Sequence, residues 1–234
     1  MDEMYVLLMS AATLGVIHTL LGPDHYLPFI VLARARKWTQ TRTLWITFIS
    51  GVGHVGGSVL LGIIGIALGI GLHQLEAIEA NRGSLVGWML IGFGLMYTAY
   101  GIYKYLRKGA HFHLPAALRP KSIRHRDMHL SETSLEKEDT GRVTPWILFL
   151  IFVFGPCEVL IPMLIYPAAN QSGYGVFLVS LVFGIATVGT MLMVVWLGYK
   201  GFSFIRLKGR EHLMHLFAGL VILMSGIGMQ FLGL

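Results

Sequence analysis

The chain has 234 residues, of which 55% are hydrophobic and only 13% charged, with a mean hydropathy of +0.67. Those values exclude an ordinary soluble domain and point to a helical protein that crosses a membrane several times. A net charge of +6 could serve nucleic acid, but its distribution along the chain removes that reading, and a single cysteine excludes an intramolecular disulfide or a dithiol shuttle within this sequence.

Apolar runs near 4–33, 44–72, 84–106, 144–168, 174–199 and 213–234 are each long enough to span a bilayer, which predicts six helices. The start, Met-Asp-Glu-Met, lacks the basic stretch of a cleavable signal, so the first run is expected to stay. All but one of the 18 basic residues fall in alternate loops, at 34–42, 104–142 and 200–210. By the positive-inside rule these loops are cytoplasmic and both termini are outside, with Arg82 alone on the outer side. The expected setting is a bacterial cytoplasmic (inner) membrane, with the lipid bilayer as the obligatory partner. The sequence does not speak to oligomeric state.

The first run contains HTLLGPDHYLP, from His18 to Pro28. Pro23 has no N–H for the carbonyl four residues back, and its ring crowds that carbonyl, so the helix is expected to break at Gly22-Pro23. Charged groups at bilayer depth are costly, about 2.5 to 3.5 kcal/mol each on insertion scales, and mark sites. On an unbroken helix His18 and His25 would stand about 10 Å apart along the axis. They could share one ion, together with Asp24, only if the chain unwinds at Gly22 and Pro23.

The second run is rich in glycine, with Gly53/Gly57 and Gly65/Gly69 spaced for close helix approach. His54 sits among these glycines near mid-span and is expected to face the same cavity. The third run offers packing glycines (Gly87, Gly92, Gly94) and an aromatic end (Tyr97, Tyr100, Tyr103, Tyr105) that reads as an interface belt. Residues 107–142 form a polar cytoplasmic linker with His111, His113, His125 and His129, either incidental or a weak metal site.

The second half repeats the first. Shifted by about 133 residues, Gly22-Pro23 falls on Gly155-Pro156, Gly51 on Gly184 and Val55-Gly56 on Val188-Gly189. In that register His25 corresponds to Glu158, Asp24 to Cys157 and His54 to Thr187. The expected fold is therefore all-α: six transmembrane helices as a 3+3 inverted repeat with a broken first helix in each repeat, units 1–106 and 143–234 joined by the linker. Such repeats place substrate near the midplane between broken helices.

Asp24 and Glu158 read as the two carboxylates in the hydrocarbon region. With His18, His25 and His54 they form a nitrogen and oxygen set that suits Ni(II), Co(II), Zn(II) or Fe(II). Asp24 could instead orient His25 from behind. Cys157 is a candidate additional ligand or a small packing residue.

HTLLGPDH followed by GVGHVGGS resembles the nickel/cobalt permease superfamily, especially its urease-accessory-type branch and relatives labelled sulfite exporters. The resemblance implies transition-metal permeation through a site carried onto His18, Asp24, His25 and His54. The metal would then be substrate, with no prosthetic group and no enzymatic turnover. Five residues separate His18 from Asp24, where those permeases have four. The Gly-Pro-Cys element at 155–157 also resembles the membrane thiol-transfer proteins of cytochrome maturation, which use a cysteine pair. Export of a small anion such as sulfite and intramembrane metal-dependent hydrolysis are the competing expectations. No ATP-binding loop is present, so transport would be passive, gradient-coupled or driven by a separate subunit.

Overall fold

The computed structural model describes residues 2–109, 135–170, 172–204 and 213–232. Within them the chain is helical throughout: α1 (Asp2–Leu21), a short 3₁₀ turn (Pro23–His25), α2 (Leu27–Ala35), α3 (Gln40–Ala67), α4 (Leu72–Gly109), α5 (Leu135–Val153), α6 (Leu160–Ala169), α7 (Gly173–Phe204) and α8 (Leu213–Ile227), the last continued by a π-helical turn to Leu232. Among the described residues, five helices are long and apolar enough to cross a membrane: α1, α3, α4, α7 and α8. The run expected at 144–168 is divided into two short apolar helices, Thr144–Val153 and Leu160–Ala169, at the break expected around Gly155-Pro156. The third run was expected from 84, but α4 begins at Leu72 and carries polar residues into the bundle. The linker histidines His111, His113, His125 and His129 lie outside the described residues. The expected linker 107–142 is helical at its two described ends, 107–109 and 135–142.

Glycines set the helix spacing. A Cβ at Gly53 would lie 2.6 Å from Val153 and one at Gly57 2.8 Å from the Val153 carbonyl, so α3 packs backbone-close on α5. Along the antiparallel pair α4 and α8, a Cβ at Gly94 or Gly101 would stand 2.5 Å from the backbone nitrogen of Leu223 or Leu216. Gly92, read as a packing glycine, meets nothing. Gly69 is likewise no helix-packing residue: it turns the chain after α3 with φ +67, a left-handed conformation natural to glycine.

Helices α1 and α3 both pack on α7, α5 packs on α3, and α2 tucks under α8. Phe29, Leu32, Leu148, Ile151 and Ile222, all essentially sealed, form the apolar centre between α2, α5 and α8. Tyr97 belongs to this interior, 4% exposed, and not to the expected interface belt. Its hydroxyl meets Nδ1 of His215 at 3.0 Å, and Lys104 Nζ donates to the other ring nitrogen at 3.0 Å. Tyr103 and Tyr105 are exposed, as the belt reading expects.

Candidate functional site: three imidazoles at two helix breaks

The break after α1 turns the chain so that two residues seven apart meet. Gly22 and Pro23 leave the helix, Pro23 opens the 3₁₀ turn, and His25 folds back over Gly22. The His18 and His25 ring centroids are 4.7 Å apart, and His54 of α3 comes within 5.0 Å of His25 and 6.3 Å of His18. One ligand nitrogen from each ring lies within 4.8 Å of the others. Metal–imidazole bonds are about 2.0–2.1 Å, so small side-chain rotations bring all three onto one ion. His25 and His54 are buried and His18 half-buried.

Hydrogen bonds fix which nitrogen keeps its lone pair. His25 Nδ1–H donates to the Gly22 carbonyl at 3.1 Å, with Asp24 Oδ1 at 3.2 Å. His54 Nδ1–H donates to the Phe152 carbonyl at 3.3 Å. That leaves Nε2 of each ring as a lone-pair donor, and both Nε2 atoms are buried without a partner. Orienting a ligating imidazole through its far nitrogen is how metal sites set the tautomer. Phe183 lies 6.5 Å from His18, and Phe152 flanks His25 and His54 at 6.5 and 6.3 Å.

The two glycines expected as hinges have a more specific task. A Cβ on Gly22 would lie 2.5 Å from His25 Nδ1, and one on Gly155 would lie 2.9 Å from His54 Nδ1. At both breaks the missing side chain is the space an imidazole occupies.

Not every expected ligand joins. Asp24 sits behind His25 and orients it, outside the cluster of donor nitrogens. Glu158 is exposed and lines a cavity that His18 and His25 also line, but it stands outside the cluster of donor nitrogens. Cys157 is fully buried, with Sγ 4.0 Å from His18 Nε2, beside the cluster. Thr187, the counterpart of His54 in the expected repeat, is sealed inside with an unpartnered hydroxyl.

The expectation counted only Asp24 and Glu158 as carboxylates within the spans and Arg82 as a loop charge, but the candidate span Leu72–Leu106 also contains Glu79 and Arg82. Glu79 of α4 is completely buried and pairs with Arg82 one turn on. Arg82 Nη2 donates to the carbonyls of Val153 and Gly155, both at 3.2 Å, and Nη1 reaches Ser58 Oγ at 3.4 Å. Glu79 Oε2 accepts the Cys157 N–H at 3.0 Å. Backbone groups freed by the second break are thus satisfied by a buried ion pair, as a low-dielectric interior demands. The i,i+3 spacing of Glu79 and Arg82 was the only signal in the sequence.

The model of the cytochrome c biogenesis protein transmembrane region matches residues 8–228. This overturns the nickel/cobalt permease resemblance and, with it, the reading of the chain as a transition-metal permease. The histidine motif behind that resemblance spans a few residues, whereas the match runs nearly end to end. Neither sulfite export nor intramembrane hydrolysis gains support. Neither a curated protein nor a solved structure matches the chain.

Proposed function

The chain belongs to the family of the cytochrome c biogenesis protein transmembrane region, and from that premise we propose that it serves cytochrome c biogenesis by holding a transition-metal ion inside the membrane on His18, His25 and His54. The observation that carries this reading is the cluster of three imidazoles, one ring nitrogen of each within 4.8 Å of the others, two of those rings holding a buried, unpartnered Nε2. Unpaired buried polar atoms are costly, about 1–3 kcal/mol each, so two of them on adjoining rings of one cluster call for a ligand there. Three neutral nitrogen donors suit Zn(II), Cu(I) or Co(II). The ion is held, not conducted.

Thiol transfer, the other chemistry that the Gly-Pro-Cys element brings to mind, has less behind it in this chain. Its one cysteine is sealed from solvent, and a dithiol relay needs two. Cys157 acts here as a packing residue beside the site.

The same reading takes the two breaks as equivalent points of a 3+3 inverted repeat. Its support is the way α1 sits on α7 as α5 sits on α3, while α3 meets α7 and α4 meets α8. Both termini then face away from the basic loops, out of the cytoplasm of a bacterial cell.

The test is complementation. In a strain lacking the protein, covalently attached c-type haem should be restored by the wild type and by Cys157→Ser but not by His25→Ala or His54→Ala. Full restoration by both histidine variants, or failure of a well-expressed Cys157→Ser, would overturn the proposal.

A further inference from the structure

A cavity of about 600 Å³ lies against His18 and His25, two of the three clustered histidines, bounded by the end of α1, by α4 around Gly83 and by the second break. Its polar lining is His18, Asp24, His25, Ser84, Glu158 and Gln230. Two of these groups are carboxylates. A third polar atom, Gln230 Oε1, is a buried acceptor without a partner. Another hollow of similar size, about 580 Å³ between α3 and α7, is walled mainly by Trp45, Phe48, Met193 and Trp196, and no carboxylate or imidazole lines it. The cavity by the histidines lies toward the ends of α4 and α8 opposite those that carry Lys104 and His215.

We propose that this cavity is the route by which a metal cation reaches the three-histidine site, and that Glu158 draws the cation in without ligating it. The inference rests on the three-histidine reading above and adds the path and the residue that sets the loading rate. His25, only 4% exposed, lines the cavity and carries an unpartnered Nε2, so the cavity reaches a ring of the cluster that has a lone pair to offer. Glu158 is exposed and stands outside the donor cluster. Arg82, on the same stretch of α4 as the lining residues Ala80 and Gly83, is occupied by Glu79 and two backbone carbonyls. The charges facing the cavity are therefore negative, and apolar walls such as Leu14, Ile17 and Met229 focus that field along it.

A steering charge and a ligand differ in kinetics. Removing a rim charge slows association and weakens its salt dependence, whereas removing a buried partner speeds dissociation. The experiment follows Co(II) alone entering the purified full-length protein in lipid nanodiscs, by stopped-flow absorption, across a range of salt concentrations. Glu158→Gln should load about three- to tenfold more slowly, with a flatter salt dependence and an unchanged dissociation rate, while Glu158→Asp loads at the wild-type rate. Ala80→Trp, which fills the cavity, should slow loading and release together and leave the equilibrium constant in place. Faster dissociation from Glu158→Gln would overturn the steering role by making Glu158 a ligand. Wild-type loading rates in both Glu158→Gln and Ala80→Trp would overturn the route alone, with the three-histidine site intact. No Co(II) uptake by the wild type would overturn that site and the route with it.

Discussion

The two helix breaks use the same dipeptide for different ends. At Gly22-Pro23 the chain curls tightly, and the residues that follow, Asp24 and His25, supply a donor and the carboxylate that orients it. At Gly155-Pro156 the chain supplies backbone: the Phe152 carbonyl fixes His54, and Gly155 leaves room for its ring. The first break is held by its own local hydrogen bonds. The second is held from outside, by Glu79 and Arg82 of α4. One break therefore makes ligands and the other makes a seat, and only the seat needs a charged clasp.

That contrast can be broken most forcefully at the clasp. Arg82→Met leaves Glu79 buried without its partner, and removing one member of a buried pair costs about 3–5 kcal/mol. Unfolding in detergent should show a loss of that order. Glu79→Gln combined with Arg82→Gln should lose less than Arg82→Met, since no orphan charge remains. Equal losses would mean that the pair is not the fastening described.

A smaller effect is expected at the ligands. His25→Ala and His54→Ala should each weaken Zn(II) binding more than about 100-fold, above the 10- to 100-fold typical of residues that only orient a ligand, while stability falls little. Calorimetric titration reads this directly, and near-wild-type affinity in either variant would remove that ring from the site.

Next come the glycines, which sharpen the comparison because each break has one. Gly22→Ala and Gly155→Ala each push a methyl group against an imidazole nitrogen. Each should cost about tenfold in affinity, in line with other disturbances of ligand orientation. A loss at Gly22 alone would make the second break structural only.

The smallest effect belongs to Cys157. Replacing Sγ by a hydroxyl of similar size should change metal affinity by less than about threefold, because the sulfur stands beside the nitrogen cluster. A large loss in the same titration would bring the thiol into the coordination sphere.

The breaks, the convergence of His18 with His25 and the approach of His54 were legible in the sequence because each follows from a local rule. Proline removes a donor, and buried imidazoles need partners. Close packing at Gly53, Gly57 and Gly94 was legible for the same reason. The clasp was not. Glu79 precedes the apolar stretch that marked the third run, and Arg82, counted by its loop, read as an outside charge. Only the tertiary approach of α4 to the second break shows that the two residues neutralise each other. Glu158, matched to His25 in the expected repeat, lies in the cavity that His18 and His25 line but outside the nitrogen cluster, a distinction that register alone does not make. The family was misread because a short histidine motif outweighed Gly-Pro-Cys, and one cysteine argued against the thiol-transfer proteins.

The central claim is that three imidazoles share one ion. X-ray absorption at the metal edge of Zn(II)-loaded protein counts them directly. The account predicts a first shell containing three histidine nitrogens, reduced to two in His54→Ala. A wild-type shell with fewer than three imidazoles, or one dominated by carboxylate oxygen or sulfur, would contradict it.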